Sequence, residues 1–166
     1  MNIRWKPSVT VAAVIEESGR FLLVEEHTPE GLRFNNPAGH LDPGESPESA
    51  CARETLEETA YQFTPQALVG VYLARFQRPL PGAAVDDITY LRFAYCGTLG
   101  AFDSSLKLDH GIVRTVWMHA DEIRSHADRL RSPLVLQCME DYLAGRRFEL
   151  DLVRTHPSIQ ALQSRT

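Results

Sequence analysis

The chain has 166 residues, 43% hydrophobic and 23% charged, which fits one folded domain and excludes a disordered or low-complexity chain. No apolar run approaches the roughly 18 residues of a membrane-spanning helix, and the start, Met1 to Pro7, reads as too short and polar for a signal peptide. The net charge of −5 disfavours nucleic acid as a partner, and three widely spaced cysteines, Cys51, Cys96 and Cys138, suggest neither a disulfide framework nor a zinc site, so a reducing cytoplasm is expected.

In chain order, VTVAAVIE (Val9 to Glu16) predicts a strand, Ser18-Gly19 a turn, and RFLLVEE (Arg20 to Glu26) the return strand of a hairpin. Phe34 to Asn36 predicts a short strand ended by Pro37, and Gly39 to Glu45 (GHLDPGE) a loop. A helix is expected from Pro47 to about Ala60, with Ser46 as N-cap, Pro47 at its first position and Glu48 at its positive end. Strands follow at Leu68 to Gln77 and Ile88 to Leu99, separated by a Pro/Gly-bearing flexible loop, Arg78 to Asp87. Val113 to Met118 predicts a further strand, Asp121 to His126 a short helix, and Ser132-Pro133 the start of a helix from Leu134 to Ala144, closed by Gly145. Residues 1–153 read as one domain, and residues 154–166 as a mobile tail. Alternating elements of this kind predict an α/β (α+β) domain with helices covering a mixed sheet.

The charge is concentrated. Six carboxylates, Asp42, Glu45, Glu48, Glu54, Glu57 and Glu58, lie between Gly39 and Tyr61 with one cation, Arg53, and the rest of the chain balances to zero. At 100° per residue, Glu54, Glu57 and Glu58 share one helical face, while Cys51, Ala52, Thr55, Leu56, Thr59 and Ala60 fill the other. Like charges at i, i+3 and i+4 repel by about 0.2–0.5 kcal/mol per pair. Near a helix C-terminus the macrodipole adds about 0.3–1 kcal/mol against anions. No Lys stands four residues away as an offset. A hard divalent cation would reverse both effects, taking oxygens from these carboxylates, from Glu45 and from carbonyls near Ala38 and Gly39. The bland alternative is a solvated acidic face.

Gly39, five residues, Glu45, seven residues, then RETLEETAY (Arg53 to Tyr61) resembles the Nudix box, a 23-residue pattern of spaced Gly and Glu followed by R-E-apolar-x-E-E-x-Gly-apolar. Thr55 stands where that pattern has an aliphatic residue, and Ala60 where it has Gly; a left-handed Ala there costs roughly 1 kcal/mol and suggests a reshaped helix exit. KPSVTVAAVIE, FLLVEE, NPAGHLDPGE, YLRFAY and LRSPLV extend the resemblance over residues 6–153, to a bacterial, phosphatase-type subgroup of Nudix hydrolases acting on nucleoside tri- and diphosphates and thiamin-type pyrophosphates.

The resemblance implies an α/β/α sandwich and Mg²⁺-dependent cleavage of a phosphoanhydride bond in a small nucleotide or pyrophosphate substrate, with Mn²⁺ as a substitute ion. It assigns the ion to Glu54, Glu57, Glu58 and the backbone carbonyl of Ala38, a supporting place to Glu45, and the orientation of Glu54 to Arg53. The base is open between Glu54 and Glu45, with Asp109, before the strand at Val113, as a further acidic candidate. Asn36, His40, Arg92 and Asp109 are candidate substrate contacts. Arg92 lies in a strand that reads as buried, so it needs an anionic partner, either phosphate or a structural carboxylate. Trp5, Phe34 and Tyr90 offer rings for stacking, though packing is their default reading. The alternatives are a pyrophosphohydrolase on another nucleoside-diphosphate-linked substrate, and a nucleotide-sensing module without turnover, which a complete set of box carboxylates disfavours. Monomer and homodimer both remain open.

Overall fold

The computed structural model describes residues 4–79, 82 and 85–159. The strands are β1 (Ser8–Val14), β2 (Glu16–Glu17), β3 (Arg20–Thr28), β4 (Gly31–Asn35), β5 (Ala38–His40), β6 (Tyr61–Pro79), β7 (Val85–Phe102) and β8 (Ile112–His119). The helices are α1 (Pro47–Thr59), α2 (Ala120–Ser125) and α3 (Pro133–Leu143). One sheet has the order β5-β1-β7-β6, with β1 and β7 parallel and the other pairs antiparallel. In the other, β3 pairs β8 along one edge and both β2 and β4 along the opposite edge.

Strand alternation sorts the core into two layers. Val11, Ala13 and Ile15 of the first strand segment, with Leu22, Phe63, Leu68 and Tyr95, pack against Ala50 and Cys51 of α1. Val14, Phe21, Leu23, Ala94 and Cys96 point the other way, onto Ile123 of α2 and Leu134, Val135, Cys138 and Met139 of α3. Helices therefore cover both faces of the strands, the α/β/α layering expected from the sequence. None of the described helices is long and apolar enough to cross a membrane.

Two elements differ from expectation. Of the segment Arg78 to Asp87, read as a flexible loop, the two described ends continue a long hairpin: Gln77, Arg78 and Pro79 pair with Asp87, Asp86 and Val85, while positions 80, 81, 83 and 84 lie outside the described residues. Cross-strand ion pairs, Arg78–Asp86 at 2.7 Å and Arg75–Asp87 at 2.5 Å, supply the pairing that its Pro/Gly content hides. Ala38 to His40, at the edge of the expected loop, is strand β5, zipped onto β1 with Val11 opposite Gly39. The tail expected over 154–166 lies outside the described residues from position 160 onward.

Helix α1 starts as expected: Ser46 is extended and its side chain accepts from the Ser49 N–H at 3.2 Å. Its exit is not reshaped. Ala60 takes the left-handed conformation (φ 60°). It is held there from both sides, its N–H donating to Leu56 O and its carbonyl accepting from Asp103 N, each at 2.8 Å. Surrounding contacts thus fix a backbone state that Ala alone disfavours. On the buried side, the Thr55 hydroxyl donates to Cys51 O at 2.8 Å, so the polar replacement is satisfied inside the helix.

Candidate active site

Arg53 is the hub of the acidic helix end. Its Nε and Nη2 donate side-on to the two oxygens of Glu45, at 3.0 and 2.7 Å. Its Nη1 donates to Glu54 at 2.8 Å and to Glu57 at 2.9 Å, and Nη2 also reaches His40 O at 3.0 Å. One guanidinium thus offsets part of the repulsion for which no compensating cation was expected, at the i, i+4 spacing to Glu57. Burial alone would raise the Glu45 carboxyl, but Arg53 and the Asp42 amide outweigh it and hold Glu45 below its ordinary range. Burial leaves Glu54 above its ordinary range despite Arg53.

A loop closes the site. Asp109 N–H donates to Glu57 O at 3.0 Å, and the turn is tied again by Ile112 N to Asp109 O at 3.0 Å. Carboxylate oxygens of Glu54, Glu57 and Asp109 then fall within 4.8 Å of one another. Glu54 lies directly against Gly39, where a Cβ would overlap its carboxylate. The box glycine is there for space, because Glu54 occupies the place of its side chain.

Strand β5 joins this cluster to a cleft. Ala13 N to Pro37 O and Leu41 N to Val9 O are its ladder bonds, which turns the polar backbone groups of Ala38 and His40 to the free edge. There the Ala38 N–H donates to Glu58 Oε2 at 2.9 Å, and the Ala38 carbonyl lies on the same edge. Glu58 is only 8% exposed, although its wheel position suggested an open face. Burial, then the nearby Glu26, Glu54 and Asp109 charges, push its carboxyl from 4.5 up to about 8, against the pull of the Ala38 N–H.

The sign of this shift gives a first expected result. A carboxyl whose pKa is higher in the folded state stabilises the fold below its unfolded pKa, and that contribution is lost as pH rises through the folded value. In chelator-treated protein, Glu58→Gln should therefore gain thermal stability over the parent between pH about 4.5 and about 8. A midpoint difference that stays flat across that window, read by calorimetry, would contradict the burial of an uncompensated Glu58.

On the far side of β5, Ala38, Gly39 and His40 line a cleft of about 450 Å³. The register partners His40, Thr10 and Arg92, from β5, β1 and β7, cross its floor. Walls come from the β3–β4 hairpin (Glu26, Glu30, Arg33, Asn35), the tip of the β6–β7 hairpin (Phe76, Arg78, Ile88, Tyr90) and the start of α3 (Arg131, Leu134). Tyr90 packs edge-on against Phe76 at 5.6 Å and 6.3 Å from the His40 ring. Arg92 is 8% exposed, yet its Nε and Nη1 have no hydrogen-bond partner; Thr10 Oγ1 and Asn35 Oδ1 are also unpartnered. Two buried guanidinium nitrogens without an acceptor are costly to leave so. Among the described residues no carboxylate takes them, so the structural carboxylate is not the partner found here and an acceptor on a ligand is left to fill the place.

Two comparisons with known proteins bear on this arrangement. The NUDIX domain family matches residues 4–137. A "Phosphatase NudJ" of Escherichia coli strain K12 is 36% identical over 149 residues, spanning 90% of this chain and 92% of that protein.

The chain belongs to the Nudix family.

Among solved Nudix structures, a NUDIX hydrolase from Nitrosomonas europaea superposes with TM-score 0.80 at 49% identity, covering 91% of this chain and 98% of that one. A MutT protein from Methanosarcina mazei Go1 shares the fold at 22% identity, with TM-score 0.64 over 84% of this chain and 96% of that one. The protein is accordingly a Nudix hydrolase.

Within this Nudix site, Arg53 brings Glu45, Glu54 and Glu57 together. Asp109 joins them instead of lining the cleft, and Glu58 stands beside them rather than within the converging group. Such a donor set is all oxygen, anionic and only partly offset by a single guanidinium, which fits a divalent cation. His40 and Arg92 line the cleft, whereas Asn36 is buried and does not; its neighbour Asn35 does. Glu26 was missed by sequence reasoning. It lines the cleft, accepts from Asn35 Nδ2 at 3.1 Å and contacts Arg131 at 3.5 Å. The signal available was strand alternation, which puts Glu25 and Glu26 on opposite faces of β3 without telling which face lines a cleft. Phe34 packs in the core under Arg129, and Trp5 is exposed away from the cleft, so Tyr90 is the one proposed ring that lines it.

Proposed function

We propose that the protein hydrolyses a phosphoanhydride bond in a nucleoside tri- or diphosphate, or in a thiamin-type pyrophosphate, with release of phosphate and with Mg²⁺ as the ion. The observation that carries this reading is the convergence of Glu54, Glu57 and Asp109 beside a cleft floored by an unpaired buried arginine. These three would hold the ion, with Glu58 and the Ala38 carbonyl as the further donors that the box resemblance assigns; Mn²⁺ is the expected substitute. When bound, such an ion neutralises charge on the phosphoryl oxygens and makes a neighbouring water more acidic.

The chain's own groups do the rest. Arg53 fixes the carboxylates in one arrangement, so little reorganisation is needed when charge develops. Glu45 is saturated by Arg53 and the Asp42 amide, which leaves it a weak base. Glu54 keeps one oxygen outside its Arg53 bond, so of the two candidate bases it is the one with an oxygen left to face the ion and its water. The phosphate-releasing subclass is supported by the name of the Escherichia coli relative, a phosphatase. Three buried, unpaired cysteines suit a reducing cytoplasm, and residues 1–153 form the proposed domain.

The test is a panel of nucleoside di- and triphosphates and thiamin pyrophosphate with Mg²⁺, scoring phosphate and pyrophosphate separately. Phosphate release abolished by chelator is the expected outcome. Predominant pyrophosphate or nucleoside monophosphate release would move the protein to the pyrophosphohydrolase reading, and inertness toward every compound would remove the enzyme assignment.

A further inference from the structure

The cleft beyond β5 is more specific than a phosphate-binding groove needs to be. Its floor presents donors at Arg92 and an acceptor at Asn35 Oδ1, all buried and unpartnered, with Thr10 Oγ1 beside them. Buried polar groups are normally paired, so this set is complementary to something that enters the cleft. The occupant must offer an acceptor to Arg92 and a donor to Asn35. A phosphate at neutral pH offers acceptors alone, leaving Asn35 unanswered. Around these groups the walls are flat and partly apolar, with Tyr90, Phe76, Ile88 and Leu134. Glu26 and Asp86, also on the walls, are answered by Arg131 and Arg78, so these wall charges are already paired.

We infer that Arg92 is a specificity-determining residue that donates to an acceptor on the edge of a heteroaromatic ring, while Asn35 accepts from an exocyclic N–H of that ring and Tyr90 contacts its face. This rests on the proposed hydrolysis only for which end of the substrate lies at Glu54. The register explains why sequence alone leaves Arg92 ambiguous: its partners across the sheet, Thr10 and Tyr72, come from strands on either side. The Tyr72 hydroxyl donates to Asp141 at 2.9 Å, and Arg92 Nε and Nη1 do not reach its oxygen.

Two measurements test this. In the first, Arg92→Met and the parent are compared by saturation-transfer NMR with a free nucleoside, which has the ring and no phosphate, and by circular dichroism for folding. The parent should bind the nucleoside through its ring protons, and Arg92→Met should lose the effect. The second covers the case of a variant that does not fold. The wild-type enzyme is given a nucleoside diphosphate and its deaza analogue, in which a ring acceptor nitrogen becomes C–H. Deletion of the acceptor read by Arg92 should raise KM about 10- to 100-fold with kcat little changed, the scale of one hydrogen bond to a charged group. The analogues should span each ring acceptor in turn. Equal KM for all of them, or nucleoside binding unaffected in folded Arg92→Met, overturns the assignment. Suppression of nucleoside binding by inorganic phosphate in the parent, but not in Arg92→Met, would assign Arg92 to phosphate and overturn it too. The NMR readout needs no turnover, so failure of the hydrolysis reading is seen separately.

Discussion

Glu54→Gln is expected to lower kcat by about 10²–10³-fold at saturating Mg²⁺, the scale of losing one preorganised electrostatic group in a site of this kind. Glu54 is positioned from three directions: it belongs to the converging trio, accepts from Arg53 at 2.8 Å and fills the space over Gly39. Gln keeps the shape and still accepts from Arg53, so the fold should survive, and relief of repulsion with Glu57 should hold or raise the thermal midpoint. Steady-state turnover, Mn²⁺ binding by calorimetry and a melting curve check these together. Wild-type turnover in the folded variant would remove Glu54 from the chemistry.

Gly39→Ala is the second large effect, and it acts through space. The added methyl coincides with the Glu54 carboxylate, so Glu54 or β5 must shift. Displacement of a reacting group by about 1 Å costs on the order of 10²-fold in rate. Overpacking itself costs about 1–3 kcal/mol. A drop in kcat/KM of about 10², with a smaller loss in thermal midpoint, is therefore expected. The informative comparison is Gly145→Ala, beyond α3 and outside the site: its Cβ position is open, but its φ of 81° strains any side chain. That change should lower stability without a comparable loss of kcat. Equal kinetic losses in the two variants would point to general backbone disturbance instead of a displaced carboxylate.

Much of the box was legible because its chemistry is local. Ser46, Arg53 and the three glutamates lie within one helix and its cap, where spacing fixes direction. Asp109 could be named but not placed, since the loop before β8 is brought to α1 by long-range contacts such as the Asp109–Glu57 backbone bond. Strand β5 escaped notice: three residues with a central glycine carry no periodic signal, and their order comes from pairing with β1. The β6–β7 hairpin was cut short for the opposite reason, because Pro and Gly near its tip read as loop while cross-strand charge pairs hold the strands together. Glu58 shows the limit of a helical wheel, which ranks faces but does not know that β5 will lie across one of them.

The position of β5 makes the site a ruler. Gly39 meets the carboxylates on one face of this short strand, while Ala38 and His40 line the cleft on the other. The span from Glu54 to the Arg92 row is set by the strand register and does not stretch. With a ring seated at Arg92, compounds that differ by one phosphoryl group bring the same bond, counted from the ring, to Glu54, so chain length decides which group leaves.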